Sequence, residues 1–404
     1  MLLLINVLFF SFIISFGVFD PVFGVRPGFG LVDFSAASLV LIIFIYYHRV
    51  LVEKIDKSVV YLALLVVALF VSSSFYGYSD NGRYVFNFKL FVMVLLYSSL
   101  LVHFKKNPRH IHYSLLSYSF GVVSLIIILN TALSSEMLFN KGRLWIFGEN
   151  PNSTSARFSL AAIYLVYISI YNPLKWPLIR SFSFILSLPI MYTVLQSGSR
   201  GSVISLVFSL IILLYFSHMK KVYKILLTLV LMAVAPKVLD VFINSGSIAD
   251  RLSETFNEGG LGAREEIWLH ALDIFYNNPI FGVGEAGYFN EMKKIAGRAV
   301  DAHNLIIYLL ASGGVISFFL FSLFYRKLLV NSVVIFKSHD ALPFLLLLNV
   351  TLVSLKTGGA LTYSIMWFVF SIVSAYPRRE VPPPKAAQTI VQRSGGQYEH
   401  RTHG

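Results

Sequence analysis

SVVYLALLVVALFVSSSFYG, the stretch at residues 58–77, decides the fold class of this chain. It holds 20 mostly apolar residues and no charge, which is about the length that a helix needs to cross the ~30 Å hydrocarbon core of a membrane. About twelve such runs lie between charged residues, glycines and prolines. Their approximate spans are 2–19, 31–50, 58–77, 88–104, 112–132, 155–172, 178–196, 202–217, 221–244, 303–325, 340–355 and 358–376. The sequence therefore predicts an all-α, polytopic integral membrane protein with about twelve transmembrane helices.

The composition excludes several other classes of protein. Of the 404 residues, 56% are hydrophobic and 13% charged, against roughly 25% charged residues in soluble domains. The net charge of +13 could suggest a nucleic-acid partner, but the basic residues stand singly or in small groups between apolar runs instead of forming a patch. The absence of cysteine excludes disulfides, thiolate metal ligands and a cysteine nucleophile.

The distribution of Lys and Arg predicts the orientation, because cytoplasmic loops carry the excess of positive charge. With a cytoplasmic N-terminus, the inside connections receive Arg49, Lys54, Lys57, Lys105, Lys106, Arg109, Lys175, Arg180, Lys220, Lys221, Lys224, Arg326, Lys327, Lys337, Arg378 and Arg379. Residues 1–244 then form nine helices and residues 303–376 three, so that both termini are cytoplasmic. The polar, proline-containing tail 377–404 is predicted to be disordered.

One connection, residues 245–302, differs from the others in charge. Its first 57 residues hold nine acidic and five basic side chains, a net charge of −4. We expect a large extracytoplasmic loop with one amphipathic helix, since apolar residues recur at 267, 268, 271, 272 and 275. That helix is predicted to lie at the membrane surface with Trp268 at headgroup level, and to end at Asn278-Pro279.

Two arginines on the outer side are candidates for anion binding. Arg200 lies in the short connection Ser197-Gly-Ser-Arg-Gly201, and Arg264 opens the predicted loop helix. A guanidinium offers a fork of N–H donors that suits phosphate or diphosphate. Each arginine also has a simpler interpretation, an interfacial anchor for Arg200 and a surface ion pair for Arg264.

His303 is a candidate general base. It follows Asp301 and precedes the apolar run Leu-Ile-Ile-Tyr-Leu-Leu, so Asp301 is predicted as the N-cap and His303 falls in the first helical turn. A neutral histidine accepts protons near physiological pH. The alternative is an interfacial histidine that contacts headgroups or water.

A polar cluster, Gly148-Glu-Asn-Pro-Asn-Ser-Thr154, leads into the sixth run. Its side chains suit sugar hydroxyls, or the cluster is a helix-capping turn with Ser153 or Thr154 as the cap. Arg157, just inside that run, is either part of an outer-face anion site or, as we favour, an interfacial anchor. No P-loop, His-Glu-x-x-His or metal-binding carboxylate cluster occurs, so we expect a metal-independent mechanism without a cofactor.

Taken in order, these pieces resemble the O-antigen ligase/polymerase superfamily. The resemblance rests on Gly-Glu-Asn150-Pro-Asn152, Ser199-Arg200-Gly201, Gly262-Ala-Arg264-Glu-Glu-Ile-Trp268, Asn278-Pro279, Gly282-Val-Gly284, Ala302-His303-Asn304 and Gly313-Gly314. It covers roughly residues 148–325 and the twelve-helix topology. The chain departs from many members at Ile306, where they have an aromatic residue, and at Ser317, where they have glycine.

The resemblance implies a metal-independent glycosyltransferase of the bacterial inner membrane, with the loop and the site on the periplasmic side. Its implied partners are membrane lipids, an undecaprenyl-diphosphate-linked oligosaccharide and an acceptor, either a sugar or lipid A-core. It implies that Arg200 and Arg264 bind the diphosphate and that His303 is the general base. Asn150, Asn152, Asn304 and Tyr308 are candidate contacts to glycan or acceptor.

The sequence leaves three functions open. The first is a polymerase that transfers the growing glycan onto the next lipid-linked repeat, for which a chain-length regulator protein is a candidate partner. The second is an O-antigen ligase that transfers the glycan to lipid A-core. The third is a transporter or flippase of lipid-linked sugars, which is disfavoured because charges in the middle of the runs are scarce.

Overall fold

The computed structural model describes residues 2–14, 31–53, 55–75, 88–140, 143–216, 263–297, 299–338, 340–355 and 363–378, with Leu361 and a few isolated helical positions between 221 and 232. These residues form thirteen helices and one hairpin. The helices are α1 (Leu2–Ile14), α2 (Leu31–Glu53), α3 (Lys57–Phe75), α4 (Phe88–Lys106), α5 (Arg109–Thr131), α6 (Pro151–Tyr171), α7 (Pro177–Gln196), α8 (Arg200–Phe216), α9 (Ala263–Asn277), α10 (Gly284–Ala296), α11 (Leu305–Lys337), α12 (Leu342–Ser354) and α13 (Ser364–Ala375).

The described residues are mostly helical and belong to a multi-pass membrane protein, in agreement with the predicted class. Five helices are long and apolar enough to cross a membrane, namely α3, α5, α6, α7 and α11. Shorter apolar helices lie within α1, α2, α8, α12 and α13. The structure describes only a few positions of the ninth predicted run, 221–244. The tail beyond Arg378 lies outside the described residues. The total of twelve crossings stays a prediction.

Helix α6 is the centre of one half of the bundle. It packs against α5, α7, α8 and α12, and all its side chains from Phe158 to Ile168 are buried. A helix that is apolar and buried all round belongs in a protein core. Helix α7, in contrast, leaves Leu178, Phe182 and Ile185 exposed, which is the pattern of a helix with one face towards lipid.

The all-α prediction is wrong in one detail, a two-stranded antiparallel hairpin between α5 and α6. Strand β1 (Met137–Asn140) pairs with β2 (Arg143–Ile146), with Met137 opposite Ile146 and Asn140 opposite Arg143. Leu144 and Ile146 are buried, and β2 packs against α6 and α7. The hairpin therefore ties the start of α6 to the end of α7.

Helix α11 extends beyond the predicted run 303–325 and ends at Lys337. Arg326 and Lys327, which we expected in a loop after residue 325, lie inside this helix, so the predicted helix end is wrong, whereas their cytoplasmic side stays a prediction. The physical reason is that the helix keeps a buried face past the apolar run, through Leu328, Asn331, Ser332 and Ile335. The charge of Lys327 is accommodated because this residue forms an ion pair with Asp56.

Asp56 is the centre of an ion cluster between α2 and α3. Its carboxylate accepts hydrogen bonds from Lys105 at 2.7 Å, from Lys327, and from the N–H and hydroxyl of Ser58. Burial alone would raise the pKa of Asp56, but these hydrogen bonds hold it well below its usual value. The cluster joins α3, α4 and α11.

We expect Asp56→Asn to lower the free energy of unfolding by about 1–3 kcal/mol at pH 7, because hydrogen bonds between charged groups are lost. A carboxylate with a depressed pKa stabilises the fold above its unfolded-state pKa of about 4, and that contribution fades as the pH falls below it. Thermal unfolding should show that the difference in stability between the unaltered protein and Asp56→Asn is smaller at low pH than at pH 7. Asp273→Asn, at an exposed position on α9, is the control. An equal difference in stability at both pH values would contradict a stabilising role of the Asp56 carboxylate.

Helix α11 is broken at Gly314, whose backbone (φ 60°, ψ −164°) is not helical. In an unbroken helix, Val315 and Ile316 would donate to the carbonyls four residues earlier. Their N–H groups instead donate to the carbonyls of Pro279 at 2.9 Å and Ile280 at 3.3 Å. The carbonyl of Ala311 in turn accepts from the N–H of Val283 at 3.2 Å. The turn at 278–283, which we call the inserted turn, thus completes the hydrogen bonding of a membrane helix.

Glycine is required where the inserted turn and α11 meet. A Cβ at Gly282 would lie 2.5 Å from the carbonyl carbon of Ser312, and one at Gly314 would overlap the carbonyl of Ile280. The hydroxyl of Ser72 on α3 donates to the carbonyl of Gly282 at 3.1 Å. The inserted turn is therefore held between a side-chain hydroxyl of α3 and the backbone of α11.

Within the predicted loop, the described residues from Ala263 onwards form two helices, and only α9 was predicted. It ends at Asn277, as expected. Its face, represented by Ile267, Ala271 and Ile274, is buried in a small core with α10 and the start of α11. The indole N–H of Trp268 donates to the carbonyl of Ala302 at 2.8 Å. This face therefore packs on protein at α10 and α11, and the position of Trp268 at headgroup level stays a prediction.

Candidate active site

His303 lies immediately before the N-cap of α11. The cap is Asn304, whose side chain accepts from the N–H groups of Ile306 at 3.0 Å and Ile307 at 3.2 Å. Asp301 accepts from the N–H of His303 at 3.0 Å. The prediction that Asp301 caps the helix and His303 lies in its first turn is therefore wrong, because Asn304 is next to the helix and reaches two of its unpaired N–H groups.

The backbone of His303 is left-handed, with φ 52°. This conformation is uncommon for a residue with a Cβ. It persists only where the surroundings hold it, and such residues cluster at functional sites. Here Asp301 holds the residue on one side and the Asn304 cap fixes the chain on the other. His303 is partly exposed, so the geometry presents a constrained imidazole at the start of a helix.

Two tyrosines and a carboxylate pack together where α10 meets the first turns of α11. The hydroxyl of Tyr308 donates to Glu285 at 2.5 Å, and the N–H of Glu285 donates to the hydroxyl of Ser73 at 3.2 Å. The ring of Tyr288 packs edge-on against Tyr308, with centroids 5.1 Å apart. Burial, followed by the negative charge of Asp301, raises the pKa of Tyr288. Tyr308, a predicted glycan contact, is fully buried, and we assign it a supporting role below.

Sequence reasoning missed Glu285. It is 8% exposed and is placed in the first turn of α10 by the inserted turn. The sequence did contain a signal for a helix start at Glu285, because an acidic residue directly after Gly282-Val-Gly284 suits the positive end of a helix. Nothing in the local sequence, however, pairs Glu285 with Tyr308, which lies 23 positions further along.

The predicted polar cluster caps α6, but through a different residue. The side chain of Asn150 accepts from the N–H of Asn152 at 3.0 Å, so the prediction of Ser153 or Thr154 as the cap is wrong. An asparagine followed by proline at the first helical position is a strong start signal. The side chain of Asn152 accepts from Arg143 at 2.7 Å.

Arg157 is buried, although we expected an interfacial anchor. It forms an ion pair with Glu149, and Glu149 also accepts from the hydroxyl of Thr154 at 2.9 Å. The anchor interpretation is wrong because Arg157 is 6% exposed and pairs with a carboxylate of the segment that precedes α6. The pair lines a cavity, together with Ser153 and Tyr363.

The two candidate arginines both lie at helix starts. Arg200 is the first residue of α8 and Arg264 the second residue of α9. Their side chains are outside the described part of the structure. The unpaired N–H groups and the positive dipole of a helix start favour anions, so the backbone at each position suits a phosphate group.

A second cavity shares two lining residues with the first. It is an apolar groove lined by Leu305 and Ile306, which follow His303 in the chain, and by Val350 and Ser354 of α12. Val350 and Ser354 also line the cavity at the Glu149–Arg157 pair. The start of α6 and the start of α11 therefore border the same face of α12.

The site residues lie partly within a segment that is similar to a known family. A comparison with curated proteins finds no match. Residues 182–322, which include Arg200, Arg264 and His303, match the family described as O-antigen ligase. The match supports a function of the O-antigen ligase/polymerase type, with lipid-linked glycan and acceptor substrates. Residues 182–322 are thus similar to the O-antigen ligase family, and the predicted resemblance to the O-antigen ligase/polymerase superfamily is confirmed.

Proposed function

We propose that the chain is a glycosyltransferase of the bacterial inner membrane that polymerises O-antigen or a related surface polysaccharide. It moves glycan from undecaprenyl diphosphate to a sugar hydroxyl on the periplasmic face. The observation that carries the proposal is the left-handed His303, held between Asp301 and Asn304 within the matched domain. A partly exposed imidazole in a constrained position suits a general base.

In the proposed reaction, an imidazole nitrogen of His303 accepts the proton of the acceptor hydroxyl. The hydroxyl oxygen attacks the anomeric carbon, the bond from that carbon to the diphosphate oxygen breaks, and the lipid diphosphate leaves. The new glycosidic bond forms on the opposite face, so the configuration inverts. No metal or cofactor takes part in this scheme.

Arg200 and Arg264 stabilise the leaving diphosphate in this proposal. Negative charge grows on the diphosphate as the bond breaks, and donors aimed at developing charge supply the largest catalytic effect in many enzymes. The placement of both residues in the first turn of a helix supports this role, because backbone N–H groups there add to the guanidinium.

The four side chains predicted to contact glycan or acceptor form hydrogen bonds within the protein. Asn150 and Asn304 cap helices, Asn152 accepts from Arg143, and Tyr308 donates to Glu285. We assign glycan contact to the cavity at the start of α6, where Glu149 and Ser153 offer hydrogen-bonding groups and Tyr363 offers an aromatic ring.

The proposed orientation has both termini in the cytoplasm and the loop in the periplasm. It is supported by the basic residues of the predicted inside connections, of which Lys105 and Lys327 meet at Asp56. A chain-length regulator remains a predicted partner of the polymerase.

Lipopolysaccharide gels of cells that carry His303→Ala test the proposal. Loss of a polymerase leaves core with one repeat unit. Loss of a ligase, the function that names the matched family, leaves bare core and accumulated lipid-linked polymer. Loss of a flippase leaves bare core and no polymer. We expect the first pattern, with His270→Ala on α9 as a control that keeps the full ladder. A full ladder in His303→Ala would remove the general base from the proposal.

A further inference from the structure

Arg143 is a buried arginine at the first position of β2. It is 7% exposed, whereas arginine is rarely buried unless it is paired. Its burial inside the hairpin means that its hydrogen bonds are part of the fold at this end of the bundle.

The guanidinium of Arg143 joins two other segments of the chain. Its Nη2 donates to Oδ1 of Asn152 in the first turn of α6 at 2.7 Å, and its Nε donates to the carbonyl of Ser197 at 3.0 Å. Ser197 is the C-cap of α7, so its carbonyl has no partner within that helix. A cation at the negative end of a helix is favourable.

Only two residues separate this contact from Arg200. Gly198 is left-handed, with φ 63°, and the N–H of Ser199 donates to the hydroxyl of Ser197 at 3.2 Å. The hydroxyl of Ser199 donates to that of Ser202 at 3.2 Å. The tight turn transmits the position of Ser197 directly to the first residue of α8.

We propose that Arg143 is a positioning residue that fixes Arg200 for the lipid diphosphate. It does so by binding the carbonyl of Ser197 and holding the turn against the capped start of α6. This inference rests on the proposed role of Arg200. A lysine would not replace Arg143, because two bonds in different directions require the planar fork.

A double-mutant cycle on the full-length protein in nanodiscs tests the inference. The measured quantity is the dissociation constant of undecaprenyl diphosphate. We expect Arg143→Ala and Arg143→Lys each to weaken binding about 10-fold, and Arg143→Ala to add nothing in an Arg200→Ala background, since coupled residues are not additive. Asn152→Ala, which keeps the bond to Ser197, should have a smaller effect in the same direction.

Arg378→Ala is the matched control, because Nε of Arg378 also donates to an asparagine, Asn331, at 3.0 Å. It should leave the dissociation constant unchanged. Thermal unfolding of each variant identifies loss of the fold, and Asn152→Ala carries the test if Arg143→Ala does not fold.

The outcomes separate the two proposals. If Arg143→Ala binds normally, or if its effect adds fully to that of Arg200→Ala, Arg143 does not position Arg200. If Arg200→Ala itself binds undecaprenyl diphosphate as well as the unaltered protein, the proposed diphosphate site is wrong, and the inference about Arg143 fails with it.

Discussion

Replacing Arg264 by alanine is expected to slow glycan transfer by at least about 100-fold, and Arg200→Ala is expected to do the same. Removing one donor from a site that stabilises developing negative charge typically costs 10²–10³ in rate, about 3–4 kcal/mol in the transition state. Arg264→Lys and Arg200→Lys should fall between alanine and arginine, because the charge remains while the paired N–H geometry is lost.

Transfer is best measured on purified protein with a synthetic lipid-linked repeat as donor. Arg180→Ala is a suitable control, since this exposed arginine of α7 donates to the carbonyl of Ser169, near the end of α6 opposite its capped start. The amount of each variant in the membrane should match that of the unaltered protein. Normal turnover in either alanine variant would take that arginine out of the diphosphate site.

The second large effect is expected from Gly282→Ala, which should destabilise the protein by more than about 4 kcal/mol. The added methyl would lie 2.5–2.6 Å from backbone atoms of Ser312, Gly313 and Gly314, so the inserted turn would have to leave α11. Val315 and Ile316 would then lose their partners in a medium that offers no replacement. Losses of this size arise from only a few mechanisms, of which backbone overlap is one.

Gly297→Ala separates this overlap from the cost of a left-handed backbone. Gly297 has φ 70°, close to the 63° of Gly282, but a Cβ there would meet nothing within 4 Å. We expect Gly297→Ala to cost only about 1–2 kcal/mol. The measurements are the unfolding midpoint in detergent and the yield in the membrane. Equal losses in both variants would contradict the importance of the inserted turn.

The helices were predictable from sequence because the membrane imposes one simple requirement. A segment that crosses it must be apolar over about 20 residues, and runs such as 58–77 meet that requirement locally. The start of α6 at Asn150 was not predicted, although Asn150-Pro151 is a local signal for it. The loop pattern predicted Arg264 at a helix start, whereas Arg200 was predicted in a connection and is the first residue of α8.

What the sequence did not predict depends on contacts between distant residues. The break at Gly314 is stable because Pro279 and Ile280, 34 or more positions earlier, supply the missing carbonyls. The burial of Arg143 depends on Ser197, 54 positions away. Local patterns such as Gly313-Gly314 mark these places, but a glycine pair indicates only that a close approach occurs, not which backbone approaches.

The inserted turn also determines which parts of the protein move during a catalytic cycle. Because α11 takes backbone partners from the segment between α9 and α10, these two helices and residues 305–313 form one rigid unit. A swinging lid at this position would expose several unpaired amide and carbonyl groups, at a cost of several kcal/mol each. His303 directly precedes this unit, so the proposed general base keeps its place relative to α9 and α10. In the proposed reaction, the acceptor hydroxyl must therefore travel to a stationary imidazole.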